Sequence, residues 1–282
     1  PSRRGHAAGV LTTPATGPAA AGVVIVHGAG GGSRTDHRTL ADSLAGAGLA
    51  VLVTDKDTRG YSFLRRDYPG LAEDVGLAAR WLSKLPEIQG SVGLLGISEG
   101  GWVAALAAER FDEEISWLVL LSAPVVTPNE QMAYIASRRL PAFLTRYTTT
   151  FLSGSDGVVD YASTDVRAAV RRADVPLLAV FGGRDPIVPI TQAAARLDEA
   201  SPSPVSVMVL PDAGHSPRPG AWTERVARWI RGGNPYLGVE GADLRRAGAP
   251  ALPTPAWYLR MWAQLALSLL LTVLLLTARR GG

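Results

Sequence analysis

Leu94-Leu95-Gly96-Ile97-Ser98-Glu99-Gly100-Gly101-Trp102 is an apolar run that breaks into Gly-x-Ser-x-Gly and resumes as an Ala-rich segment reaching Arg110. The pattern predicts a buried strand, a sharp turn and a helix. A serine on such a turn takes a strained backbone conformation, and small neighbours such as Gly96 and Gly100 let strand and helix approach closely. The turn lifts the Ser98 hydroxyl above the sheet edge. It also aims the Glu99 backbone N–H at the oxygen of a bound carbonyl, where the helix N-terminus adds a favourable dipole. Gly-x-Ser-x-Gly alone turns up in many Gly-rich chains; the strand before it and the helix after it separate a nucleophile elbow from a structural bend.

Upstream, Gly22-Val23-Val24-Ile25-Val26-His27 is a continuous β-branched run, as expected of a strand buried on both faces of a parallel sheet. It ends in Gly28-Ala29-Gly30-Gly31-Gly32, a loop whose amides are free to point inward at a developing oxyanion. The Ala29 N–H is the expected partner of the Glu99 N–H, although the sequence leaves open which loop amide donates. A phosphate-cradling loop is the rival reading. It lacks the Lys-Ser/Thr ending of a P-loop, and Ser33 stands where a dinucleotide fingerprint has its last glycine. His27 is expected to pin the loop rather than move protons. Gly9–Thr13 reads as a short edge strand, Asp36–Ala47 as a helix and Ala50–Thr54 as the next strand. The charged turn Asp55–Ser62 then lies at the same sheet edge, placed to hold the loops by ion pairs or to meet substrate. Leu71, Val75, Ala78, Ala79 and Leu82 form a core-facing helical stripe.

Downstream, Ile115–Leu121 is a strand, and the alternation predicts an α/β fold: a doubly wound, mostly parallel sheet with ligands at the carboxyl ends of its strands. Residues 126–173 break the pattern with short helices at Gln131–Leu140 and Ala142–Phe151, expected as a small helical cap over the serine. Val175–Phe181 is a strand followed by Gly182-Gly183-Arg184-Asp185-Pro186, where a locked Asp suits a carboxylate that orients an imidazole. Asp156, Asp160 and Asp165 are alternative acids. After the strand Val205–Leu210 comes His215, the last of four histidines, and His6, His27 and His37 all precede Ser98. Nucleophile, acid and histidine thus follow one another in the order this architecture uses.

The 282 residues suffice for one large domain, and 47% hydrophobic content allows a full core. A net charge of +3 with dispersed basic residues gives no support to nucleic-acid binding. The absence of cysteine excludes disulfides, thiol catalysis and thiolate metal sites.

With Ser98, Asp185 and His215 in that order, the chain resembles the α/β-hydrolase superfamily, near dienelactone hydrolases and the catalytic domains of prolyl-oligopeptidase-type peptidases. His27–Gly32, Asp55-Lys56 with Arg59-Gly60, Leu94–Trp102, Gly182–Pro189 and Ala213-Gly214-His215 carry the resemblance, which covers about residues 10–230. Asp57-Thr58 interrupts what is usually Asp-Lys-Arg-Gly. The resemblance implies that His215 takes the Ser98 proton, that Ser98 attacks an ester or amide carbonyl, and that the Ala29 and Glu99 amides hold the oxyanion. It implies no metal and no organic cofactor. A carboxylesterase or thioesterase acting on a small-molecule or lipid-like ester is the expected function. A prolyl-oligopeptidase-type serine peptidase and a non-catalytic hydrolase-like membrane scaffold are the alternatives.

Residues 1–231 are thus expected as the hydrolase domain, closed by a helix over Pro219–Arg231. Residues 232–255 read as a Gly/Pro-rich linker, and 256–280 as a transmembrane helix. Met261–Ala278 holds 18 residues without a charge, with Trp257, Tyr258 and Trp262 as an interfacial belt and Arg279-Arg280 as a cytoplasmic stop. This predicts a single-pass membrane protein with its catalytic domain outside the cytoplasm. No charged-then-apolar leader is visible at Pro1, so that placement expects a signal peptide already removed; a tail-anchored enzyme facing the cytoplasm is the alternative.

Overall fold

The computed structural model describes residues 7–137, 161, 164–240 and 261–278. Strands β1 (Gly9–Thr12), β2 (Ala21–Val26), β3 (Leu49–Thr54), β4 (Val92–Ile97), β5 (Leu118–Leu121), β6 (Leu177–Gly182), β7 (Ser206–Leu210) and β8 (Val239–Glu240) form one 8-stranded sheet in the order β1-β3-β2-β4-β5-β6-β7-β8. Only β1 runs antiparallel, on the edge against β3. The other pairings are parallel.

Strand periodicity divides the core between two faces. In β2, Val24 and Val26 pack with α2 (Tyr68–Leu82), α3 (Gly100–Arg110), α5 (Val166–Ala173) and α6 (Ile190–Ala200). Val23 and Ile25 face the opposite way, toward α1 (Arg38–Gly46) and α7 (Ala221–Arg231). Both faces of the central strands are covered, which is why they read as unbroken apolar runs rather than alternating ones. Trp117 fills the space that a side chain at Gly93 would take, since a Cβ there would lie 2.2 Å from the indole. Its ring meets Trp229 of α7 edge-on at 6.4 Å.

The chain leaves β2 toward β3 on one side and returns as β4 on the other, so the carboxyl ends of β2 and β4 flank the point where the winding reverses. Open sheets of this kind bind ligands there. The loop after β2 and the elbow after β4 both emerge at that point.

Three regions differ from expectation. Of the expected cap over 126–173, residues 138–160 and 162–163, and with them the proposed helix Ala142–Phe151, lie outside the described residues. The segment starts as α4 (Pro128–Ser137) and ends as α5, which packs on α3 and α6 as part of the layer covering the sheet. Val166, Ala169, Val170 and Ala173 give α5 its buried stripe. The stretch expected as a linker from residue 232 begins by folding back: Trp229 Nε1 donates to Pro235 O at 2.9 Å, the Leu237 amide donates to Ser206 Oγ at 3.0 Å, and β8 adds to the sheet edge.

The third difference overturns the membrane assignment. The C-terminal helix α8 (Met261–Ala278) has 18 residues, which at about 1.5 Å per residue gives roughly 27 Å against a hydrocarbon core of about 30 Å. Gln264, Ser268 and Thr272 recur every fourth residue along it, with Thr272 Oγ1 donating to Ser268 O at 2.8 Å. Ala263, in its first turn, is buried. Among the described residues no helix is long and apolar enough to cross a membrane. The single-pass localisation drawn from the sequence is therefore withdrawn. Trp257, Tyr258, Arg279 and Arg280 lie outside the described residues.

Candidate active site

Ser98 sits at φ 51°, in the left-handed region that costs a non-glycine residue about 1–2 kcal/mol. The surrounding contacts hold it there. The Ser98 amide donates to Leu121 O of the neighbouring strand end at 2.9 Å, and Ser98 O accepts from the Gly101 amide at 2.9 Å. A Cβ at Gly96 would come within 2.7 Å of Gly100 O, and one at Gly100 within 2.3 Å of Val26 O. Both glycines are therefore required by the close approach of strand and helix, as the sequence pattern anticipated.

Three side chains distant in sequence meet at this turn. Ser98 Oγ lies 3.0 Å from His215 Nε2, and His215 Nδ1 lies 2.8 Å from Asp185 Oδ2. Asp185 is held independently: its Oδ1 accepts from the Ile187 amide at 2.7 Å and the Val188 amide at 3.1 Å. With both Oδ1 acceptor positions occupied, Oδ2 is left for the imidazole. Nδ1–H donating to that carboxylate leaves the Nε2 lone pair facing the Ser98 hydroxyl, the tautomer needed to accept its proton. The loops carrying the acid and the histidine are bonded to each other, with the Arg184 amide donating to Ala213 O at 2.9 Å. Asp185 is buried. The His215 side chain keeps 20% of its surface exposed, whereas that of Asp185 is fully covered.

Of the alternative acids, Asp156 and Asp160 lie outside the described residues. Asp165 is otherwise engaged: it caps α5 by accepting from the Arg167 amide at 3.0 Å and pairs with the Arg167 guanidinium at 2.6 Å. These bonds hold its carboxyl below the usual range.

The loop after β2 packs on the elbow, a Cβ at Gly28 standing 3.2 Å from Ile97 O. Neither the Ala29 N–H nor the Glu99 N–H has a hydrogen-bond acceptor among the described residues. His27 is buried, and its Nε2–H donates to Thr54 O at 2.8 Å. It pins the loop to β3 as expected, and burial lowers its pKa from 6.5.

The sequence did not reveal what surrounds the Glu99 side chain. That carboxylate is 2% exposed and accepts from Lys56 Nζ at 2.8 Å, Tyr61 Oη at 2.7 Å and Tyr68 Oη at 3.2 Å, with the Arg66 guanidinium also bonded to it. Burial lowers the Lys56 pKa and raises those of Tyr61 and Tyr68. One signal was available: an acid at an elbow position that must be buried demands cations, and the charged turn at 55–62 lies at the same sheet edge. Among the described residues there is no cluster of metal-ligating side chains.

The family described as Serine aminopeptidase, S33 matches residues 17–161, a stretch that includes the glycine loop and the elbow. The chain superposes on an esterase from Pyrococcus furiosus with a TM-score of 0.54 at 21% identity, covering 80% of this chain and 89% of that one. A dienelactone hydrolase from Anabaena variabilis gives 0.53 at 23% identity, over 80% and 89%. Est1E from Butyrivibrio proteoclasticus, solved with ferulic acid bound, gives 0.55 at 19%, over 80% and 93%. At these identities the likeness establishes the fold. A comparison with curated proteins finds no match. By its family match and its fold, the chain belongs to the serine hydrolases of the α/β-hydrolase superfamily.

Proposed function

We propose that this serine hydrolase cleaves carboxylic esters or thioesters through an acyl-enzyme on Ser98. The observation that carries the reading is the continuous path Ser98 Oγ, His215 Nε2, His215 Nδ1, Asp185 Oδ2, with steps of 3.0 and 2.8 Å between residues. As Ser98 Oγ attacks the carbonyl carbon, its proton passes to Nε2, and Asp185 stabilises the imidazolium that forms. The carbonyl oxygen becomes an oxyanion between the amides of Ala29 and Glu99, which have no acceptor among the described residues; one such donor contributes about 10²–10³ in rate. The intermediate then collapses, breaking the bond from the carbonyl carbon to the leaving oxygen or sulfur as the imidazolium protonates that atom, and the alcohol or thiol departs. A water, deprotonated by His215, attacks the acyl-enzyme and releases the acid with Ser98 restored.

The family's description favours a second reading, an aminopeptidase. Such an enzyme binds the substrate's α-ammonium group, for which a carboxylate is the natural partner. The carboxylates that the 55–66 segment and the elbow bring to this sheet edge are already engaged: Asp55 by Arg34, Asp57 by Arg59, and Glu99 by Lys56 and Arg66. This occupancy supports ester over aminopeptide cleavage. The comparison is made with p-nitrophenyl esters from acetate to palmitate beside aminoacyl p-nitroanilides. Turnover of esters but not anilides supports the proposal; faster anilide turnover overturns it in favour of the peptidase.

A further inference from the structure

The acyl-transfer steps above use the Glu99 backbone and leave its side chain idle. Yet the cluster around that buried carboxylate reaches both halves of the oxyanion site. Lys56 Nζ donates to Glu99 Oε1 and to Gly28 O, both at 2.8 Å. Tyr61 Oη donates to Glu99 and accepts from the Gly30 amide at 3.1 Å. Ala29 lies between the two gripped groups.

Peptide planarity gives these bonds a direction. The C=O of Gly28 and the N–H of Ala29 belong to one trans peptide unit, so they point opposite ways in one plane. An ammonium fixed on Gly28 O therefore sets where the Ala29 N–H points. It also polarises that unit, strengthening the N–H as a donor. The next unit, Ala29 C=O with Gly30 N–H, is fixed in the same way by Tyr61. Both tethers end on Glu99, whose own amide is the second donor.

We infer that Lys56 and Tyr61 are positioning residues that orient the Ala29 amide and lock the 28–30 loop to the elbow through the Glu99 carboxylate, making the two oxyanion donors one rigid unit. The inference rests on the hydrolase reading of Ser98. Arg66 has a separate part: its contact with Glu99 keeps the buried carboxylate compensated when Lys56 is removed, which makes Lys56→Met a tolerable substitution. A buried ion pair contributes little net stability compared with apolar packing. What it supplies here is geometry.

The test measures kcat and KM of wild type, Lys56→Met and Tyr61→Phe on a p-nitrophenyl ester, with each enzyme's active serine counted by a fluorophosphonate probe. Loss of one oxyanion donor sets the scale. Lys56→Met lowers kcat per labelled serine about 10²-fold, and Tyr61→Phe, which removes only a hydroxyl, about 10-fold, with KM within about threefold. The phosphonylation rate falls in parallel, because it passes through a similar anionic centre. A purely structural role would reduce the labelled fraction or the melting temperature while leaving kcat per labelled serine unchanged. That result, within twofold of wild type for both variants, overturns the inference while the hydrolase proposal stands. A wild type that neither labels nor turns over ester overturns both.

Discussion

Replacing Asp185 by Asn separates the orientation of the histidine from its mere presence. The carboxylate uses Oδ1 for two backbone amides, Ile187 and Val188, and Oδ2 for His215 Nδ1. An asparagine has one acceptor oxygen. Turning its NH₂ toward the two amides would set donors against donors in a buried position, at about 1–3 kcal/mol for each unsatisfied group. The amide therefore keeps its oxygen on the backbone and presents its NH₂ to Nδ1. Nδ1 must then accept, the proton moves to Nε2, and Nε2–H points at Ser98 Oγ, unable to take its proton. The loss expected from a wrong tautomer is about 10⁴ in kcat, or about 5 kcal/mol of transition-state stabilisation. Initial rates on p-nitrophenyl butyrate read it, with unchanged near-ultraviolet circular dichroism showing that the fold is intact. An Asn variant within tenfold of wild type would refute the role assigned to Asp185.

Three further outcomes follow from particular contacts. Asp165→Ala removes the side chain that caps α5, so it costs about 0.5–2 kcal/mol in urea unfolding and leaves kcat unchanged; a kcat loss comparable to that of Asp185→Asn would make Asp165 the acid. Gly100→Ala forces a Cβ to 2.3 Å from Val26 O, and overpacking of this kind costs about 1–3 kcal/mol, read as a lower urea midpoint with ester turnover reduced as the elbow shifts. Burial lowers the pKa values of His27 and His37 from 6.5. Below pH 6.5 the unfolded chain therefore binds protons that the native protein resists, and stability falls as pH drops from that point. Unfolding midpoints at pH 7.5 and 5.5 show this loss, and the double variant His27→Gln, His37→Asn narrows the difference; Asn suits the left-handed backbone of His37.

The strands and the elbow were legible because their signals are local. β2 and β4 are apolar runs because both faces of the sheet are covered, and Gly96 and Gly100 bracket Ser98 because nothing larger fits. Asp185 and His215 were legible through chain order and strand-end position, although their distance from Ser98 was not. The Glu99 cluster escaped the reading because its members lie 31 to 43 positions away from Glu99, and no periodicity links a turn after one strand to the turn after the next. Helix α5 falls in the segment whose broken pattern suggests a cap, yet the spacing of Val166, Ala169, Val170 and Ala173 is that of a core-facing stripe. At the C-terminus, uncharged length alone resembles a membrane span, whereas Gln264, Ser268 and Thr272 put a polar stripe along the 18-residue helix.

The most direct measurement is to react the purified protein with a fluorophosphonate and locate the adduct by peptide mass spectrometry, beside a folded Ser98→Ala variant. The account predicts one adduct, on Ser98, absent from the variant and accompanied by complete loss of ester turnover. An adduct on another serine, or none under conditions that label a known esterase, would contradict it.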